Sequence, residues 1–299
     1  MGSATEIPAY TRKTVLVTGA AGTLGQATAI SFAAAGIARL ALVDHVNVSD
    51  THEKVVQAAI DVGKPAPDVL ALTIDVCDAA SVEAGVREVS SMWGHVDTFV
   101  NIAASSPKPV IPQGDVTGLR DVDTWWKVWE ANVKGISLMA RALVPLLSRS
   151  CERTIVNAVP VFSVNPAAPP SDNQLSMLAS TRLSESLMLD FAHEGVLVYS
   201  VNPEINLEGR MPEATRQVIN TECGDVIVHL AGKRREWLAG RHIGSVEDLL
   251  ELQVRDEDLD GNPLPKMQPP TEIVPFKSET FYIVSTEDWW SFLVKACTT

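Results

Sequence analysis

The chain has 299 residues and a formal net charge of −13 at pH 7, with 37 acidic and 24 basic side chains. A hydrophobic share of 46% and a charged share of 20% are close to ordinary globular usage, which excludes wholesale disorder. The acidic balance repels phosphate backbones and anionic lipids, so we expect neither a nucleic-acid partner nor a membrane partner.

The cysteines and histidines provide no cluster with metal-ligand spacing, so the sequence predicts no metal site. The N-terminal segment lacks the apolar core of a secretory signal, and no apolar run reaches the length of a membrane helix. We therefore expect a cytoplasmic protein. The densest basic run, Lys233–Arg235, is predicted to lie on a solvated helix surface.

Short apolar runs alternate with longer amphipathic segments from residue 13 onward. The predicted strands cover residues 14–18, 40–43, 69–74, 98–101, 154–157 and 196–201. The predicted helices cover residues 24–35, 51–62, 79–93, 121–149 and 174–194. Continuous apolar strands separated by helices are typical of a parallel sheet that is covered on both faces. The sequence therefore predicts an α/β protein with a doubly wound parallel sheet.

Three stretches rich in Pro, Gly or polar residues are predicted loops, at 104–120, 160–173 and 262–275. The alternation of strands and helices is lost beyond residue 240. We therefore predict an N-terminal tail, one sheet domain and a C-terminal extension packed on that domain, over residues 1–12, 13–240 and 241–299. The extension is predicted to carry a last strand at 281–284.

A Gly-rich turn joins the first strand to the first helix, and a carboxylate ends the second strand. Gly19, Gly22 and Gly25 would let the backbone approach a pyrophosphate, and the helix N-terminus would supply N–H donors. Asp44 lies where a carboxylate would bind the hydroxyls of an adenosine ribose. No Arg or Lys follows Asp44 directly to receive a 2′-phosphate, so NAD fits better than NADP. A tight turn without a ligand is the alternative.

This turn resembles the TGxxxGxG motif of the short-chain dehydrogenase/reductase family, and the resemblance covers roughly residues 13–240. Residues 101–104 match the NNAG segment of the family, and residues 238–243 resemble a C-terminal segment common among fungal members. The resemblance implies a Rossmann fold that binds NAD or NADP. It assigns the cofactor contacts to Gly19, Gly22, Thr23, Leu24, Gly25, Asp44, Asp75, Val76, Asn101 and Ala103.

The resemblance also implies that most catalytic residues of the family are replaced. Asn132 falls on the catalytic asparagine, but the serine falls on Pro160, the tyrosine on Asn173 and the lysine on Met177. General acid catalysis of the kind that the tyrosine provides contributes about 10²–10⁴ in rate. Asn173 has no proton that titrates near neutrality, and Met177 has no charge. We therefore do not expect the ordinary reductase mechanism, and the dinucleotide site is either functional or vestigial.

Two acidic residues are candidates to replace the lost groups. Glu204 follows the sixth strand where the family has a glycine, and a carboxylate beside an apolar pocket can act as an acid or a base. The alternative for Glu204 is a solvated acid or a partner for Arg210. Asp172 is predicted to be the N-cap of a helix, or else a substrate contact. The predicted catalytic set is Glu204, Asn132, Asn173 and Asp172, and the predicted apolar pocket is Pro160, Phe162, Met177 and Met211.

Three function classes are consistent with these residues. The first is a non-redox cyclase, isomerase or dehydratase that acts on an apolar small molecule, such as a polyketide-like intermediate of secondary metabolism. The second is an NAD(P)-dependent reductase with a non-standard mechanism, for example iminium reduction. The third is a non-catalytic binding subunit. We also expect a homo-oligomer, a dimer or a tetramer, and Trp125, Trp126 and Trp129 are predicted to pack in the core or at a subunit interface.

Overall fold

The computed structural model describes residues 10–105, 122–160, 171–203 and 213–243. The strands in these ranges are β1 (Thr14–Thr18), β2 (Arg39–Asp44), β3 (Asp68–Thr73), β4 (Thr98–Asn101), β5 (Thr154–Ala158), β6 (Leu197–Val201) and β7 (His242–Ile243). The α-helices are α1 (Thr23–Ala35), α2 (Ser49–Asp61), α3 (Ala79–Trp93), α4 (Val122–Trp129), α5 (Gly135–Leu147), α6 (Ser171–Asp190) and α7 (Glu213–Gly232).

The seven strands described form one parallel sheet in the order β3-β2-β1-β4-β5-β6-β7. Alternate residues of β1 serve opposite faces, because successive strand side chains point in opposite directions. Val15 and Val17 pack in a core with Phe32 of α1, whereas Leu16 packs on the other face with Met139 of α5. The predicted doubly wound parallel sheet is confirmed.

The sheet order reverses between β1 and β4, and this reversal positions the site. β1 pairs with β2 on one side and with β4 on the other, so the chain leaves the two neighbours of β1 in opposite directions. Ligands of open parallel sheets bind in the crevice at the carboxyl ends of the strands at such a switch point. The crevice here lies beyond Thr18 and Asn101.

Three parts of the fold differ from the sequence-based expectations. Helix α6 begins at Ser171, so the end of the predicted loop 160–173 is helical, and Asp172 lies in the first turn of α6 rather than at its N-cap. Helix α7 was not predicted. It contains Gly224, which looks like a helix breaker, but a Cβ there would lie 3.2 Å from the backbone of Ala27, so the glycine allows α7 to approach α1 closely.

The sheet also continues past the predicted end of the domain at residue 240. Strand β7 pairs in parallel with β6 through His242 and Ile243. The predicted strand at 281–284 lies outside the described residues, as does most of the predicted extension.

The prediction for the basic run Lys233–Arg235 is wrong, because Arg235 is buried and follows the end of α7. Its Nη1 donates to the carbonyl oxygens of His229 and Lys233 at 2.8 and 3.2 Å, which are groups that a helix C-terminus leaves unpaired. The Tyr199 hydroxyl accepts from the Arg235 N–H and donates to the Arg235 carbonyl, both at 2.8 Å. Burial raises the pKa of Tyr199 to about 12, so its phenol keeps this donor at neutral pH.

Within the described ranges, no helix combines the length and the apolar character needed to cross a bilayer. The same part of the chain contains no group of three or more His, Cys, Asp or Glu side chains placed to share a metal ion.

The contacts of Tyr199 predict a measurable stability effect. Tyr199→Phe leaves the N–H and C=O of Arg235 without their partner in the interior, so we expect the free energy of unfolding to fall by about 1–3 kcal/mol in urea titrations. Tyr10→Phe is the matched control, since the buried Tyr10 hydroxyl makes a single hydrogen bond, to the Val228 carbonyl. A loss for Tyr199→Phe no larger than the loss for Tyr10→Phe would contradict this assignment.

Candidate active site

The Gly-rich turn closes on itself through glycines at two positions. Gly19 has φ of +71°, and a Cβ there would lie 2.8 Å from the Ala103 nitrogen. A Cβ at Gly25 would lie only 2.0 Å from the Gly19 carbonyl oxygen. Helix α1 then begins at Thr23 with Gly22 as its N-cap and without a side-chain cap. Its first N–H groups are therefore not claimed by a capping side chain, as an anion site at a helix N-terminus requires.

Asp44 at the end of β2 is connected to this turn. Its carboxylate is 7% exposed, and Oδ2 accepts a hydrogen bond from the Ala21 N–H at 3.0 Å. Oδ1 accepts from the His45 N–H at 2.8 Å and lies 2.9 Å from the His45 ring Nδ1. The structure thus places a carboxylate against the predicted pyrophosphate turn.

The loop after β4 is attached to the same turn by Thr18. The Thr18 hydroxyl donates to Asn101 Oδ1 at 2.9 Å and accepts from the N–H groups of Ile102 and Ala103 at 3.2 and 3.3 Å. The predicted cofactor residues Gly19, Asn101 and Ala103 therefore lie together at the switch point.

The predicted adenine-contacting pair lies after β3. Asp75 Oδ1 accepts from the Cys77 N–H at 2.9 Å, which shapes a short side-chain turn. Val76 packs against Gly135, where a Cβ would lie 2.9 Å from Val76 Cγ2. Glycine at the start of α5 therefore allows the long helix to approach this side of the crevice. Burial, with Asp75 nearby, raises the pKa of the Cys77 thiol to about 11, so that thiol stays protonated at neutral pH.

The predicted long helix 121–149 is interrupted at Asn132. Between α4 and α5 the residues Glu130–Lys134 form one π turn, in which the Gly135 N–H donates to the Glu130 carbonyl five residues earlier. Such turns are rare and are frequent at functional sites. Asn132 lies in the middle of the π turn and is 1% exposed.

The carboxamide of Asn132 is bonded at both ends. Its Oδ1 accepts from the Ser105 N–H at 2.7 Å, and its Nδ2 donates to the Ser105 carbonyl at 3.2 Å and to Ser176 Oγ at 2.9 Å. Nδ2 also lies 3.4 Å from Asn173 Oδ1. Two members of the predicted catalytic set, Asn132 and Asn173, are thus brought together, and both are buried.

A row of buried serines on α6 was not predicted from the sequence. Ser176, Ser180 and Ser184 lie on one face at spacings of four residues, and each donates to a preceding carbonyl of its own helix at 2.7–3.0 Å. Ser184 also accepts from Asn157 Nδ2 at 2.9 Å. The spacing in the sequence was the available signal, because residues four apart share a helix face.

The other predicted site residues divide into two groups. Pro160 and Met177 are buried, as expected for a pocket lining. Glu204, Phe162 and Met211 lie outside the described residues, and so does the side chain of Asp172. Their roles stay predictions.

The three tryptophans at the start of the long helix pack on one another. Their ring centroids are 5.2–6.3 Å apart, and the Trp126 ring is nearly parallel to those of both neighbours. Trp126 is 56% exposed. Trp129 Nε1 is buried and has no hydrogen-bond partner in the described part of the chain.

Comparison with known proteins identifies the family. The model of the short chain dehydrogenases matches residues 13–217. The chain is also 36% identical over 255 residues to the short chain dehydrogenase mpl6 of Monascus purpureus, covering 83% of this chain and 85% of that protein. The chain therefore belongs to the short-chain dehydrogenase/reductase family, and this prediction is confirmed.

Solved structures agree on the fold. L-sorbose reductase from Gluconobacter frateurii, complexed with NADPH and L-sorbose, matches with a TM-score of 0.61 and 20% identity over 79% of this chain and 95% of its own. The 3-ketoacyl-(acyl-carrier-protein) reductase from Brucella melitensis, complexed with NADH, matches with a TM-score of 0.62 and 22% identity over 79% and 97%. That Pro160, Asn173 and Met177 replace the serine, tyrosine and lysine of the family stays a prediction.

The close approach at Gly25 predicts a position-specific defect. Gly25→Ala places a methyl group against the Gly19 carbonyl, so we expect a loss of about 1–3 kcal/mol in the free energy of unfolding. Gly22→Ala is the control in the same turn, because the nearest atom to its Cβ would be 3.3 Å away, and it should cost less. The same urea titration measures both. Equal losses would show that the turn has room at Gly25.

Proposed function

We propose that this protein is a divergent enzyme of its family that rearranges an apolar biosynthetic intermediate without redox chemistry, by cyclisation, isomerisation or dehydration. The supporting observation is the chemistry of the network around Asn132. Its described members are the carboxamides of Asn132 and Asn173 and the hydroxyls of Ser176 and Ser180. None of these groups titrates near neutral pH. A site of this kind acts by shape, desolvation and fixed hydrogen bonds rather than by proton exchange with a phenol.

The proposed substrate is apolar and carries a hydrogen-bond acceptor. Buried Met177 and Pro160 offer an apolar lining in place of a lysine and a serine hydroxyl. Trp129 lies one helical turn before Asn132, and its buried Nε1–H is available to a carbonyl or ether oxygen. An unpaired donor in the interior is costly, so a ligand that accepts from it would gain affinity.

Glu204 is the proposed acid or base of this reaction. It follows the end of β6, at the carboxyl edge of the sheet where ligands of such folds bind. A glutamate there adds bulk where the family has glycine, which suits a substrate in the nicotinamide position. Asp172, in the first turn of α6 next to Asn173, is the second candidate.

The mass of the accumulating compound tests this proposal whatever the substrate is. The gene is deleted in its own organism, and the compound that accumulates is compared with the compound that is lost. Cyclisation or isomerisation gives equal masses, and dehydration a difference of one water. A difference of two hydrogens would contradict the non-redox proposal, and unchanged metabolites would favour a binding subunit. Complementation with Glu204→Gln should restore less product than Asp172→Asn, by about tenfold.

A reductase with another mechanism is the second candidate, and the dinucleotide turn favours it. The residues present fit the adenosine and pyrophosphate half of NAD: the uncapped N-terminus of α1, the glycines at 19 and 25, and the carboxylate of Asp44. Bound nicotinamide would supply a hydride to an already activated carbon such as an iminium ion, which needs no proton donor. The solved structures of L-sorbose reductase and 3-ketoacyl-(acyl-carrier-protein) reductase bind NADPH and NADH respectively.

Asp44 predicts which dinucleotide binds. Calorimetric titration should give a dissociation constant for NAD about tenfold or more below that for NADP, because the carboxylate would repel a 2′-phosphate. Asp44→Asn keeps the shape and removes the charge, so the preference should shrink. Equal affinities of the parent protein for the two dinucleotides would remove Asp44 from this role.

The proposed oligomer is supported by exposed apolar side chains on two helices that contact each other. Trp126 of α4 is 56% exposed, and Leu175 and Leu178 of α6 are 48% and 53% exposed. Apolar groups that form a patch of this kind are commonly covered by a partner. A second copy of the chain is the proposed occupant, and light scattering on the full chain measures the mass.

A further inference from the structure

Two serines of α6 hold the π turn from opposite ends of Asn132. Ser176 Oγ accepts from the Asn132 side chain at 2.9 Å, and Ser180 Oγ donates to the Asn132 backbone carbonyl at 2.7 Å. Both serines are 0% exposed, so water cannot take over these bonds. The Ser180 hydroxyl has one hydrogen and lies equally close to the Ser176 carbonyl, at 2.7 Å, so the two acceptors share it.

The position of Asn132 determines the position of the loop after β4. Its carboxamide pairs with both the N–H and the C=O of Ser105, as a neighbouring strand would. The same loop packs on the dinucleotide turn, because the Ala103 N–H bonds to Thr18 and the loop leaves no room for a side chain at Gly19. A continuous set of contacts therefore runs from α6 through Asn132 to the Gly-rich turn.

A π turn needs such a lateral bond more than an α-helix does. The wider turn is rarely populated, and side chains that insert into the hydrogen-bond ladder are among the causes of helix distortion. In the described residues Ser180 is the side chain of α6 that donates to the backbone of the π turn. Removing its hydroxyl leaves a buried carbonyl with one donor fewer and frees the π turn to shift.

We propose that Ser180 is a positioning residue: its hydroxyl fixes the π turn, Asn132 and the loop after β4, and so shapes the turn that binds the dinucleotide. The last step rests on the proposed dinucleotide site, whereas the positioning of Ser105 does not. The hydroxyl does this without charge.

Amide hydrogen exchange in the full chain tests the positioning. Ser180→Ala should accelerate exchange of the Ser105 N–H by roughly fivefold or more, since its acceptor Asn132 Oδ1 loses its fixed place. Ser184→Ala is the matched control. Ser184 has the same burial and the same type of bond to its own helix, and it contacts Asn157 rather than Asn132. It should leave the Ser105 exchange rate within about twofold of the parent.

The outcomes separate positioning from general destabilisation. Unchanged exchange in Ser180→Ala, or equal acceleration in Ser184→Ala, would overturn the proposal. If Ser180→Ala does not fold, Ser180→Cys carries the same test, because its S–H is a weak donor of similar size.

Dinucleotide binding tests the second step. Ser180→Ala should weaken NAD binding by roughly threefold or more in calorimetric titration, and Ser184→Ala should not. Faster exchange at Ser105 with unchanged NAD affinity would overturn the link to the turn. If the parent protein binds no NAD, the proposed dinucleotide site fails, and the exchange result alone decides the role of Ser180.

Discussion

The site depends on the carboxamide of Asn132, which is held between a helix and a loop in a part of the protein that water does not reach. One end pairs with the backbone of Ser105, and the other bonds to Ser176 of α6. A buried amide that is bonded at both ends is expensive to displace, because each freed group loses its partner without gaining water. The π turn, the start of α6 and the loop after β4 therefore keep fixed positions relative to one another.

This constraint gives a physical account of how a family scaffold can lose charged catalytic groups and remain ordered. A lysine at position 177 would bring a charge into a buried place, whereas Met177 packs there at 4% exposure. The serine hydroxyls satisfy carbonyls of the helix and of the π turn without any charge. The dinucleotide turn is built separately, by close backbone approach at Gly19 and Gly25 and by Asp44. Loss of the acid–base groups is therefore compatible with an ordered cofactor half.

Sequence patterns predicted the sheet and the Gly-rich turn because these features are local. Apolar runs define β1 to β6, and a strand, a turn and a helix in series define the turn. The patterns failed where distant contacts decide. Gly224 is helical because it faces Ala27, and Arg235 is buried because it binds the end of α7. Asn132 was identified from its spacing, but its partners depend on how α4, α5 and α6 pack, which no single segment encodes.

The free energy of unfolding of Asn132→Asp tests the central claim most directly. The substitution keeps the shape and replaces the Nδ2 donor with an acceptor that faces the Ser105 carbonyl in the interior. If Asn132 holds the site together, the variant should lose about 2–5 kcal/mol in urea unfolding at pH 7. A variant as stable as the parent would contradict this account and would show that Asn132 does not fix the positions of α6 and the loop after β4.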